Sequence, residues 1–237
     1  YARFEAKGLQ MFSDASSDSA NLTDNGVDSS TGIGIKLGVT SDLGDGITVG
    51  ASFQPEIDMS EFDSYKGLFA DKGDMNIAPT YAVGLGWKVN PQLTVAFDYH
   101  YIDYEAVGTI GNSGSIYNPF DPNTYFGTDG GPGFGWNSIN VFKLGFDYQM
   151  SDDLALRAGW NHGDNPITSE EVSVNFLAPG VVEDHLTLGF TKMIDKDSEF
   201  SMNYVHSFEN EVTGDFNQNF GGGEMTIGME QNFIEFG

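Results

Sequence analysis

Along most of this chain apolar and polar residues alternate with a period of two, the pattern of a β-strand with two unlike faces. Over 32–39, Ile33, Ile35, Leu37 and Val39 alternate with Gly32, Gly34, Lys36 and Gly38. Over 47–54, Ile47, Val49, Ala51 and Phe53 alternate with Thr48, Gly50, Ser52 and Gln54. The same period runs through 81–90, 93–101, 142–148, 154–161, 186–191 and 200–204. A less regular segment at 223–236 completes nine predicted strands. Each is close to the length needed to cross a bilayer at a tilt.

Alternation alone does not separate a soluble sandwich from a membrane barrel, but the connections do. They alternate between short (41–46, 90–92, 149–153, 195–198) and long (55–79, 103–137, 163–181, 209–222). Membrane barrels have short periplasmic turns and long extracellular loops, whereas a sandwich has no reason to sort loop length by parity. Aromatics near strand ends (Trp87, Tyr99, Tyr101, Tyr148, Trp160, Tyr204) suit interfacial girdles. The expected fold is therefore all-β, an antiparallel transmembrane β-barrel in a bacterial outer membrane. Leu37, Val49, Leu85, Phe97, Leu144, Leu156 and Leu188 are expected to face lipid, and Lys36, Lys88, Lys143 and Arg157 the lumen. The last strand is expected to descend to the periplasm, which puts residues 1–30 outside. Nine is odd where bacterial barrels are even. An N-terminal portion is thus expected to be missing, and the end at Phe236-Gly237 to be clipped.

Composition narrows the function classes. The 237 residues contain no Cys, which rules out disulfides and zinc-cysteine sites. A formal net charge of −25 would repel nucleic acid. That charge reads as a solvated surface, or more sharply as divalent-cation bridging beside outer-membrane lipid and lipopolysaccharide. No run of 18 apolar residues suggests a transmembrane helix. The start, Tyr1-Ala2-Arg3-Phe4, has no signal-peptide character. A mean hydropathy of −0.27 is compatible with a barrel, because only alternate strand residues meet lipid.

Several segments resemble the FadL/TodX (OmpP1) family of outer-membrane transporters for long-chain fatty acids and hydrocarbons. They are FEAKGLQMFSDAS (4–16), LTDNGVDSSTGIGIKLG (22–38), the stretch 62–112, GPGFGW (131–136), FKLGFDYQMSDDLALRAGWNHGDNPI (142–167) and FLAPGVVEDHLTLGFT (176–191). The resemblance implies a fourteen-stranded barrel plugged by an N-terminal hatch. Residues 1–237 would be its C-terminal portion, with about nine strands present and the hatch and five strands outside this sequence. It also implies that 1–30 and 55–79 are the two extracellular loops that form an external hydrophobic ligand groove.

The residues suit that role. Met59, Phe62, Tyr65, Leu68 and Phe69 recur at helix-like spacing, and Phe4, Leu9, Met11 and Phe12 form a second apolar set. They either line a groove or simply pack the two loops together. On the lumen face, Lys143 and Arg157 could pair a ligand carboxylate, or neutralise Asp98 and Asp147. His100, His162, His185 and His206 show no metal spacing, and the acidic runs 14–18 and 121–129 lack the order of a calcium loop. No nucleophile elbow, phosphate loop or dinucleotide fingerprint appears, so no enzyme and no cofactor are expected. The expected function is uptake of hydrophobic molecules, captured by the loop groove and passed through the barrel. The alternatives are a structural or general porin-like barrel without specific ligand, and an outer-membrane hydrolase.

Overall fold

The computed structural model describes residues 1–237, the side chain of Phe220 excepted. A short hairpin, β1 (Ala2–Phe4) with β2 (Asp28–Ser30), opens the chain. Nine further strands follow: β3 (Leu37–Gly44), β4 (Ile47–Gln54), β5 (Thr80–Lys88), β6 (Leu93–Ile102), β7 (Ile139–Ser151), β8 (Leu154–Gly163), β9 (Asp184–Asp195), β10 (Ser198–Asp215) and β11 (Glu224–Phe236). Each pairs antiparallel with its sequence neighbours in a single nine-stranded sheet, β3 and β11 at its edges. The short turns carry the expected chemistry. Asp45 and Gly46 both take positive φ (51° and 77°), as a type I′ hairpin requires. Asn90 Oδ1 accepts from the backbone N–H groups of Gln92 and Leu93 at 2.8 and 2.9 Å.

Register sorts the two faces. Val49, Leu85, Phe97, Leu144, Trp160 and Leu186 form one continuous cross-strand row, and Ile47, Trp87, Val95, Phe146, Ala158 and Leu188 form the next. The opposite face pairs Thr48, Gly86, Ala96, Gly145, Gly159 and Thr187, and beside them Gly50, Gly84, Asp98, Lys143, Asn161 and His185. The apolar face is bare: Leu85 is 43% exposed and Leu188 48%. In a soluble sandwich a second sheet would cover such a face, and a surface this apolar is what lipid covers instead. Aromatics band both ends of it. Phe53, Tyr81, Tyr101, Tyr99 and Phe142 adjoin one another at the long-loop end (Phe53–Tyr81 centroids 4.8 Å, Tyr99–Phe142 5.3 Å). Phe190, Phe200 and Phe236 do so at the short-turn end.

The packed core lies in the loops. Leu9, Phe12, Leu22, Phe62, Tyr65, Leu68, Phe69, Tyr117, Phe126 and Val174 share one cluster, drawn from 1–30, 55–79, 103–138 and 164–183. Ile167, Val172, Val181 and Ile227 form a second, which seats 164–183 on the upper part of β10 and β11.

Two expectations need correction. The first sheet strand is Leu37–Gly44, not 32–39. Gly32 bridges Met59, and a Cβ on Gly34 would collide with Ile57, so these glycines admit the 55–79 loop instead of continuing the strand. The fourth long connection, expected at 209–222, shrinks to 216–223 because β10 continues to Asp215 past a bulge between Ser207 and Asn210. That extra residue flips the side-chain parity and hides the alternation.

Candidate functional site

The loop assembly begins with the β1–β2 hairpin, which presents Phe4 to the 55–79 loop. Its ring meets Phe69 at 4.8 Å, Tyr65 edge-on at 4.9 Å and Phe62 at 6.0 Å between centroids. Tyr65 is fully buried, and its hydroxyl donates to Gly26 O (2.5 Å) while accepting from Ala6 N (3.1 Å). A buried phenol must find such partners. The spacing in 59–69 predicts a helix, but the structure holds only a 3-10 turn at Asp63–Tyr65 and a short turn at Ala70–Gly73. In that second turn Asp71 and Lys72 have positive φ (54° and 63°), a conformation costly for residues with a Cβ. The 128–130 segment holds it. Asp71 N donates to Thr128 O, Asp71 Oδ1 accepts from Gly130 N at 2.8 Å, and Lys72 pairs with Asp129 at 3.0 Å.

The 103–137 loop lies beside this turn. Thr109 Oγ1 donates to the carbonyls of Ala70 and Asp74, and Phe134 N and Trp136 N donate to Thr109 O and Ile110 O. The 164–183 loop completes the assembly. Glu171 is buried and accepts from Gly114 N (2.8 Å) and the Ser113 hydroxyl.

Where the four loops meet they form a partly open apolar cavity of about 170 Å³. It is lined by Phe4, Leu68, Phe69, Met75, Ile110, Phe134, Trp136, Leu177 and Ala178. A neighbouring void of about 20 Å³ shares Leu68, Phe69, Phe134 and Leu177 with it and reaches Phe12, Phe126 and Val174. No lining residue of the larger cavity is ionisable, and its one side-chain donor, the Trp136 indole N–H, is already bonded to Asn175 Oδ1 at 2.7 Å. Tyr104 sits edge-on to Trp136 at 5.2 Å, and burial pushes its phenol above the usual range, so it stays neutral. The site can bind an apolar molecule by desolvation, and it has no partner for a carboxylate.

The anticipated residues divide into four groups. Phe4, Leu68 and Phe69 line the cavity. Leu9, Phe12, Phe62 and Tyr65 are core residues, with Phe12 also reaching the smaller void. Met11 is 48% exposed and outside the cavity lining, and Met59 is engaged at the Gly32 bridge. Lys143 and Arg157 stand on the inner face of the sheet, apart from the loop cavity. Arg157 Nε pairs with Asp147 at 2.7 Å and its Nη1 donates to Thr191, while Lys143 lies opposite Asp98 in register. Sequence reasoning missed Met75, Ile110, Phe134, Trp136, Leu177 and Ala178, which follow no period. The one signal was the pair of aromatics, Phe134 between Gly133 and Gly135 and Trp136 just after, in the glycine-rich 131–136. Among the described residues no group of acidic or histidine side chains is placed to hold a metal.

The matching solved structures share this fold at low identity. A Pseudomonas putida toluene transporter, TodX, is 16% identical with a TM-score of 0.54, covering 87% of this chain and 48% of its own. A second structure of that transporter gives 17% and 0.55, covering 90% and 50%. A Pseudomonas aeruginosa FadL homologue gives 14% and 0.55, covering 86% and 51%. The chain therefore spans about half the length of these structures. No curated protein sequence gave a match. A family model for outer membrane protein transport proteins (OMPP1/FadL/TodX) matches residues 7–232. With that match over nearly its whole length, the chain belongs to the OMPP1/FadL/TodX family of the bacterial outer membrane.

Proposed function

We propose that this chain supplies the capture site and much of the barrel wall of an outer-membrane transporter for small hydrophobic molecules. The observation that carries this reading is the cavity of about 170 Å³, walled by aromatic and aliphatic side chains in loops that stand beyond the lipid-facing strands. An apolar cavity of roughly 150 Å³ stays dry and accepts benzene. The volume therefore suits one aromatic ring, or the end of an acyl chain. The toluene transporters among its structural relatives agree with a compact hydrocarbon. Capture needs no charge, because each methylene-sized unit transferred from water contributes about 0.8 kcal/mol. The released molecule would then meet the inner face of the sheet, whose row Thr48, Gly86, Ala96, Gly145, Gly159 and Thr187 leaves space for passage.

The test uses Leu177→Asn, because Leu177 lines the cavity while remaining partly exposed and outside the main core. Toluene affinity of the purified protein in detergent should fall about tenfold, equivalent to about 1.4 kcal/mol of lost burial. Heat-modifiable gel mobility should be unchanged, and Met11→Asn, away from the cavity, should bind toluene as the parent does. Equal affinity in all three proteins would refute the capture site.

A further inference from the structure

The shape of the cavity depends on a residue that does not line it. Asn175 is fully buried and uses its whole amide. Its Oδ1 accepts from Trp136 Nε1 at 2.7 Å, and its Nδ2 donates to Phe134 O at 2.6 Å and to Glu171 O at 2.8 Å. Phe134 and Trp136 form one part of the cavity wall, and Leu177 and Ala178, from the same segment as Asn175, form another. One amide thus ties both parts together. Glu171 anchors the segment from behind, through Gly114 N and Ser113. Little else holds the indole by a directed bond: Tyr104 meets it edge-on and Gly180 abuts its ring, where an added Cβ would come within 3.0 Å.

We propose that Asn175 is a specificity-determining positioning residue, which acts through Trp136 and Phe134 to hold the cavity at the size of a single aromatic ring. The inference rests on the reading of that cavity as the capture site. Its physical basis is an asymmetry. A buried N–H or C=O left without its partner keeps the full penalty of desolvation, so loss of Asn175 leaves the indole N–H and the Phe134 carbonyl to find new partners. Trp136 would turn, and the wall with it.

The test is a double-mutant cycle of Asn175→Leu and Trp136→Phe in the protein purified in detergent, with toluene as the probe. A parallel set carries Trp87→Phe and Trp160→Phe, so that emission reports Trp136 alone. Asn175→Leu should lower toluene affinity about tenfold and shift the Trp136 emission maximum, with gel mobility unchanged. Trp136→Phe should lower affinity too, and the double mutant should be no worse than the weaker-binding single mutant, because the two act as one unit. Asn175→Gln, which keeps the amide, should recover part of the emission shift. Additive losses in the double mutant, or an unchanged Trp136 emission in Asn175→Leu, would overturn the inference while leaving the capture site standing. Toluene binding by the parent that is insensitive to Leu177→Asn would overturn the capture site and this inference with it.

Discussion

Leu85 and Phe69 are both large apolar side chains, yet they meet opposite surroundings. Leu85 stands on the bare face of a nine-stranded sheet, 43% exposed, with Val49 and Phe97 as its cross-strand neighbours. Phe69 is 3% exposed, inside a core built wholly from loops. In a water-soluble protein the strands would supply the core and the loops would be its wet periphery. Here the solvent of each region is reversed. Lipid takes the place of a core for the strands, and the long loops must exclude water on their own. The same reversal gives the loops a recess among packed aromatics, while the hollow on the outer face of the sheet, against Leu37, Val39, Phe53 and Tyr81, lies open where lipid would fill it.

The comparison is broken most strongly at the loop core. Phe12 is 2% exposed and packs on Phe126 and Phe176 at 5.4 and 6.2 Å. Phe12→Ala should destabilise the loop assembly by about 3–5 kcal/mol, a typical cost for emptying an aromatic site. Amide exchange over 1–30 and 55–79 should accelerate, with the heat-modifiable mobility of the barrel retained. Simultaneous loss of the barrel would show that the two regions are not separate.

Next in size is a charge on the lipid face. Leu85→Arg should cost about 2–4 kcal/mol in folding into bilayers, whereas Ala96→Arg, on the opposite face, should cost far less because it meets a polar lumen. Urea titration of both variants in lipid vesicles checks this, and equal costs would contradict the assignment of faces.

How much of this was legible in the sequence follows from the same contrast. Strands facing two different media must alternate, so residues such as Phe97, Tyr99 and Leu144 declared their elements and their faces directly. Alternation misled only where something else used it. Gly32 and Gly34 look like strand positions, yet they make room for Met59 and Ile57. The bulge after Ser207 inverted parity and concealed the upper half of β10. Loop packing has no period to read. Phe4 and Phe69 could be singled out as apolar residues in polar loops, but only the glycine-rich setting of 131–136 hinted at Trp136, and nothing in the chain said that Leu177 would close the cavity with them. The helix-like spacing at 59–69 arises from the 3-10 turn at Asp63–Tyr65 and the turn that follows it, where Leu68 N and Phe69 N donate to Tyr65 O; together they bring Phe62, Tyr65 and Phe69 around Phe4 without a helix.

The smallest expected effect concerns pH. Burial, followed by the nearby charges of Asp71, Glu56, Asp58 and Glu61, pushes the Asp74 carboxyl above the usual carboxylate range. The folded loop therefore holds this proton more tightly than the unfolded chain does. Its contribution favours folding below the ordinary value and fades as pH rises through the raised one. Asp74→Asn should remove that dependence and slow amide exchange in 70–76 at neutral pH, with little change in acid. An exchange profile with the same pH dependence in both proteins would show that Asp74 is not its source.

The most direct measurement of the reversal uses the absence of cysteine from the chain. Single cysteines at Leu85, Phe97 and Leu188, at Thr48 and Ala96, and at Phe69 can each carry a spin label in the protein folded into lipid bilayers. The account predicts that lipid-soluble oxygen broadens the first set, that a water-soluble nickel chelate broadens the second, and that Phe69 is shielded from the chelate although it lies beyond the membrane. Equal access of the chelate to Leu85 and Ala96, or free access at Phe69, would contradict it.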